Sequence, residues 1–184
     1  MDFRPPHSTQ RAWFNQPILD FLNLSDDVVL AELFRNSSFS IQTAQRDAWV
    51  EEINILRSVL YEINGHIFLE FIIPRMGQRV DAILLINGIL FVVEFKIGET
   101  DYHRSDIDQV TDYAVDLKYF HEGSHRLPVV PILVASKGYE NETKLIEHPR
   151  VSGLYHAICV NNKQLRPLIE KVVKQIASVS SNPY

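Results

Sequence analysis

Two acids and a lysine interrupt the most apolar stretch of the chain. From Gly77 to Glu99 the sequence reads GQRVDAILLINGILFVVEFKIGE, with Asp81 near its start and Glu94 and Lys96 near its end. Asn87-Gly88 is a strong signal for a two-residue hairpin turn with positive φ at both positions. Counting outward from that turn sets Asp81 opposite Glu94, in a non-hydrogen-bonded position with Cα atoms roughly 4.5 Å apart. Directly opposed side chains share a face, and Lys96, two residues past Glu94, leaves on that face as well. Two carboxylates so close repel, and one retains its proton unless a cation intervenes. The spacing therefore points to a divalent-metal site. The alternative is a salt-bridged pair with Arg79 and Lys96 at a sheet edge. The apolar neighbours on both strands argue against it, because buried charge is expensive.

The elements that must position these residues follow from periodicity. Both hairpin strands are apolar on both faces, which predicts a central place in a sheet. His66 to Ile73 reads as the strand before them, stopped by Pro74. A helix is predicted from Thr43, with Trp49, Ile53, Leu56, Val59 and Leu60 as its apolar stripe and Asn64-Gly65 as its end. Glu52 lies inside that stripe. A second helix is predicted from Ser105 to His121, buried along Ile107, Val110, Ala114 and Leu117. Val129–Ala135 and Leu154–Val160 read as strands, and Lys163–Ser178 as a closing amphipathic helix. Towards the N-terminus, Phe3 to Asp20 looks irregular, a short helix capped by Ser25 runs through Phe34, and NSSFS is a loop. The order predicts an α/β sandwich whose mixed sheet is antiparallel first and parallel after the crossover.

An acid at one strand end followed by Glu-x-Lys on the next resembles the PD-(D/E)xK nuclease superfamily. Asp81, Glu94 and Lys96 match its signature positions, with Val80 where the family has its proline. Gln109 and Tyr113, in DQVTDYAVDLK, form a Q-x-x-x-Y pair like that of RecB-like nucleases, and their i, i+4 spacing puts them on one helix face, expected to lie apart from the buried stripe. The stretches IPRMGQRVD, VVEFKIGE, DQVTDYAVDLKYFH and VPILVAS also look like the N-terminal nuclease-like domain that precedes a Schlafen-group, helicase-like P-loop ATPase in a bacterial family.

The resemblance implies a restriction-endonuclease-like αβββαβ core, with a central mixed sheet flanked by helices and an N-terminal helical extension. Residues 1–43 would be that extension, 44–178 the nuclease-like domain, and 179–184 the start of a linker to a downstream ATPase. The implied activity is metal-dependent hydrolysis of phosphodiester bonds in nucleic acid, with DNA favoured over RNA and with Mg2+ or Mn2+ as cofactor. Asp81, Glu94 and the backbone carbonyl of Phe95 would hold the metal, with Glu52 as a further carboxylate. Lys96 would orient the attacking water and stabilise the transition state, and Gln109 and Tyr113 would place the phosphate or the water. A non-catalytic nucleic-acid-binding or scaffolding module of the ATPase is the rival reading.

Several residues have plainer readings. Glu52 could snorkel at the stripe's margin, and Gln109 and Tyr113 could only pack their helix on the sheet. Glu70, mid-strand, reads slightly better as a solvent-facing edge residue than as part of a site. His121 and His125 stand at a zinc-compatible spacing, but no third ligand is evident and helix-end capping is favoured.

Composition bounds the rest. The chain has 184 residues and a net charge of −5, enough length for one domain with a real core and the wrong sign for strong nucleic-acid binding by electrostatics alone. A single cysteine, Cys159, precludes an internal disulfide and fits a reducing, cytoplasmic setting. No apolar run is long enough to span a membrane, and MDFRPPHSTQ has no signal-peptide pattern.

Overall fold

The structure, a computed structural model, describes residues 11–37, 43–73 and 76–180. One six-stranded mixed sheet, in the order β1-β2-β3-β4-β5-β6, organises it. The elements run β1 (Ala12–Pro17), α1 (Ile18–Asn23), α2 (Asp26–Asn36), α3 (Thr43–Leu60), β2 (His66–Ile73), β3 (Gln78–Ile86), β4 (Ile89–Lys96), α4 (Arg104–Phe120), β5 (Val129–Ala135), β6 (Ile158–Val160) and α5 (Asn162–Ser180). Strands β1 to β4 pair antiparallel, and β4, β5 and β6 pair parallel.

The hairpin turn takes the conformation its residues demand. Asn87 and Gly88 have φ of 50° and 74°, the double positive φ of a type I′ turn. The register follows from Ile86 opposite Ile89 out to Ala82 opposite Val93. Strands β3 and β4 lie in the middle of the sheet, as their two apolar faces require. All seven residues of β5 are buried. Pro131 is tolerated there beside the start of the β6 ladder, which first pairs at Ile132, so no inner ladder bond on that side is lost to its missing N–H.

Helices cover both faces. One layer joins the buried faces of α1, α2, α3 and α5 to Ala82, Leu84, Phe91 and Val93. The other sets Val110, Tyr113, Ala114 and Leu117 of α4 against Ile83, Val92 and Leu133. The stripe of α3 is buried throughout, Glu52 included.

Some sequence expectations change. Residues 12–17 are not irregular: they form β1, which pairs with β2 and adds an edge strand to the sheet. The N-terminal extension is therefore part strand, and Phe14, Ile18 and Phe21 sit in the main core. Helix α3 ends at Leu60, before Asn64-Gly65. Only Ile158–Val160 of the expected last strand is regular, with isolated bridges at Leu154 and Tyr155. Helix α5 runs to Ser180, past the expected linker start. The rest of that linker, most of NSSFS and the Pro74 stop lie outside the described residues.

Candidate metal-dependent active site

Regular pairing of β3 and β4 stops at Ala82 and Val93, one step short of Asp81 and Glu94. There the backbone N–H of Phe95 donates to Asp81 Oδ2 at 2.7 Å. A continued ladder would have paired Phe95 with Val80. The strand backbone also changes face at this point. Ala82, Leu84 and Ile86 pack in the α3 layer, whereas Val80 joins Ile83 in the α4 layer. Side chains two apart on a regular strand share a face, so the alternation breaks at Asp81.

The partner strand breaks at the same level. Ile67 and Leu69 belong to the α3 layer, and Phe71 and Ile73 to the α4 layer. Glu70 between them has φ of 51°, a region that non-glycine residues rarely adopt. The β2–β3 register passes from Leu69–Ala82 to Phe71–Val80 and omits Glu70 and Asp81. Two neighbouring strands are thus kinked side by side, each at an acid.

Glu94 is 5% exposed. Its Oε1 lies 3.1 Å from Lys96 Nζ, and its Oε2 is buried without a hydrogen-bond partner. Lys96 Nζ also reaches Gln109 Oε1 at 3.2 Å and Asp106 Oδ1 at 3.4 Å. From Gln109 the chain of bonds continues. Its Nε2 donates to the Tyr113 hydroxyl at 2.6 Å, and that hydroxyl donates to Gln78 Oε1 at 3.0 Å. The structure therefore brings Glu94, Lys96, Gln109 and Tyr113 into one network at the carboxyl end of β4. Tyr113 is 1% exposed. It belongs to the buried face of α4, not to a separate one, because its ring packs while only its hydroxyl meets the network.

Electrostatics bind Glu52 and Asp81 to this network. Burial, then the Glu94 charge, holds the Asp81 carboxyl well above its ordinary range, against the opposing Phe95 N–H and Lys96. Burial likewise raises Glu94, with Lys96 opposing. Glu52 is raised well above normal by burial first, then by Asp81, Glu70 and Glu94. For Lys96, burial pulls the ammonium down, but Glu94, Asp106 and Asp81 outweigh it and leave the pKa raised. The lysine is therefore a fixed cation. Burial also raises the Tyr113 phenol, so its hydroxyl remains a donor.

Among the described residues, no group of three or more His, Cys, Asp or Glu side chains is arranged to hold a metal ion. Glu52 therefore faces the site through charge, not as one corner of a ready cage. The donor set still suits Mg2+, which takes one or two carboxylates and keeps several waters. Glu94 Oε2 is an acceptor without a donor, and the raised carboxyls are crowded by like charge; a divalent cation meets both conditions. A strand residue's N–H and C=O leave on the same side, so the Phe95 carbonyl faces β3 together with the N–H given to Asp81.

Arg79 does not pair with Asp81. Its Nε lies 2.5 Å from Glu70 Oε2. Glu70, expected at a solvent-facing edge, is 3% exposed and accepts the Trp49 indole N–H at 2.6 Å. Sequence reading undervalued it because a kink at one residue leaves no periodicity signal. His121 sits at the C-terminal end of α4, its Nδ1 3.0 Å from Ser124 Oγ, which agrees with a capping place.

No family model and no curated protein matches the chain. Among solved structures, the crystal structure of protein VC1899 from Vibrio cholerae is similar at a TM-score of 0.34 and 12% identity, over 81% of this chain. The chain spans 42% of that structure's length.

Proposed function

We propose that this chain is a metal-dependent nuclease domain that hydrolyses phosphodiester bonds. One observation carries the reading. Glu94, whose Oε2 is buried and unpartnered, stands with Asp81, Lys96, Gln109 and Tyr113 where the β3–β4 ladder ends.

Asp81, Glu94 and the Phe95 carbonyl would hold Mg2+ or Mn2+. When bound, that cation supplies positive charge to the phosphate oxygens and acidifies a coordinated water. The remaining work belongs to the chain. Lys96, held charged by the surrounding acids, stabilises negative charge as it builds on the phosphoryl oxygens. Gln109, fixed between Lys96 and Tyr113, turns a polar group toward the water or the phosphate. Glu52 adds negative potential that favours a divalent cation over an empty site.

DNA in preference to RNA and a fused helicase-like ATPase rest on the family resemblance, and a cytoplasmic setting on the single cysteine. Among the described residues, no helix is long and apolar enough to cross a membrane.

A second reading, a nucleic-acid-binding module without catalysis, is favoured by the commitment of Lys96 to Glu94, Asp106 and Gln109. Cleavage assays separate the two. Labelled single- and double-stranded DNA and RNA are incubated with the chain in Mg2+, Mn2+ or EDTA. The nuclease reading expects cation-dependent products that Asp81→Asn and Lys96→Ala abolish. Binding without products under every condition supports the second.

A further inference from the structure

Glu70 is held directly by two elements, and a third supports them. Trp49 of α3 donates its indole N–H to Oε1 at 2.6 Å, and Arg79 of β3 binds Oε2 through Nε at 2.5 Å. Arg79 in turn lies with its guanidinium 4.2 Å from the ring centre of Trp13 in β1. Trp13 meets Trp49 edge to face at 6.0 Å. Each Glu70 oxygen thus has a hydrogen-bond partner, unlike Oε2 of Glu94. The Glu70 φ of 51° is a conformation that persists only where the surroundings over-determine it, and this clamp supplies the determination.

The kink at Glu70 has a counterpart next door. At constant register, the face alternation of β2 breaks at Glu70 and that of β3 breaks at Asp81. Because the two strands are hydrogen-bonded neighbours, neither backbone can change face alone without breaking the ladder on both sides. The ladder resumes at Phe71–Val80, so the two breaks are one feature.

We propose that Glu70 is a positioning residue for the candidate metal site: clamped by Trp49 and by the Trp13-supported Arg79, it holds the kink that turns the Asp81 carboxylate onto the Phe95 N–H beside Glu94. This rests on the metal-dependent reading above. It also gives the N-terminal strand a part in the site, since Trp13 supports Arg79 from β1.

The test is Mn2+ affinity, measured by titration calorimetry, on the whole chain and three variants. Glu70→Gln and Glu70→Val remove the same charge, so electrostatics weaken both alike. They differ in geometry. Gln keeps an oxygen for the Trp49 N–H and tolerates the kink as Glu does. Val has no acceptor, and its branched Cβ favours regular strand over positive φ. Trp49→Phe removes the indole donor with no change of charge. Loss of a supporting partner of a metal ligand costs roughly 10–100-fold in affinity. Glu70→Val is expected to lose that much relative to Glu70→Gln, and Trp49→Phe to weaken binding relative to the wild type. Equal affinities for the two Glu70 variants overturn the positioning role while leaving the metal site standing. A wild type that binds no Mn2+ defeats the metal reading itself, and the role with it. If Glu70→Val loses its cooperative melt, Trp49→Phe decides: unchanged affinity there overturns the proposal.

Discussion

The Phe95 N–H donates to the Asp81 carboxylate at 2.7 Å, in place of a backbone partner on β3. This bond holds one acid against the backbone of the strand that carries the other. An asparagine oxygen can accept the same N–H, so the contact can be kept while the charge is removed.

Asp81→Asn is therefore a clean probe. The apo protein is expected to melt no lower than the wild type, because the raised Asp81 carboxyl is a charge the fold resists. Mn2+ at one hundred times its Kd should raise the wild-type stability by about 2.7 kcal/mol through mass action, and the variant should show no shift. A destabilised apo variant with no metal shift in the wild type would mean that Asp81 is a structural partner only.

Lys96 separates binding from chemistry. Its ammonium is an ion-pair partner of Glu94, not a ligand. Lys96→Ala frees Glu94 Oε1 and should keep or strengthen the Mn2+-induced melting shift. Cleavage should fall by about 10²–10³-fold, the usual loss when one donor to transition-state charge is removed. Retained cleavage in single-turnover assays would take Lys96 out of the reaction.

The readable part of this fold was the part written in periodicity. Asn87-Gly88 fixes a register, and counting outward along it leads to Asp81 and Glu94, one step past the last regular pair, Ala82–Val93. The stripe of α3 exposed Glu52 as an acid among apolar residues, and the structure buries it there. The kinks at Glu70 and Asp81 were not legible, because a single residue at positive φ changes no hydrophobic pattern. Strand β1 is hidden in the sequence for a related reason. Ala12–Pro17 ends in a proline and is followed at once by a helix, so its alternation is too short to see. Its place at the sheet edge is set by pairing with β2, a tertiary fact. The burial of Tyr113 is not legible either, because i, i+4 spacing shows which residues are neighbours but not how far the sheet reaches around them.

Tyr113→Phe tests the far end of the network. It deletes one hydroxyl that accepts from Gln109 and donates to Gln78. The fold should lose about 1 kcal/mol, the typical net worth of such a bond. Mn2+ binding should not change, since the hydroxyl touches neither Asp81 nor Glu94. Cleavage should fall by about tenfold as Gln109 loses its anchor, an effect of some 1.4 kcal/mol on the barrier. Gln109→Leu should lose at least as much. If both variants cleave at the wild-type rate, the pair serves packing alone.

The pH dependence of stability has a definite sign. Glu52, Asp81 and Glu94 all have raised pKa values in the folded chain, chiefly through burial. Between the ordinary carboxylate range, about 4, and their raised values, the folded chain binds more protons than the unfolded chain. Stability then falls as pH rises through that window. The metal-free protein should melt higher just above the ordinary carboxylate range than at higher pH, the reverse of a protein stabilised by ion-paired carboxylates. Saturating Mn2+ favours the ionised acids, so it should stabilise the chain more at the higher pH and flatten or invert the profile. Glu52→Gln removes one of the three groups without touching Asp81 or Glu94. It should raise the apo melting temperature at neutral pH and reduce the slope, and weaken the Mn2+ shift because the negative potential Glu52 adds at the site is lost. Melts across this range with EDTA or Mn2+ provide the measurement. An apo profile that rises toward neutral pH would show that these acids are ionised and paired in the folded chain, and that no cation is needed to reconcile them.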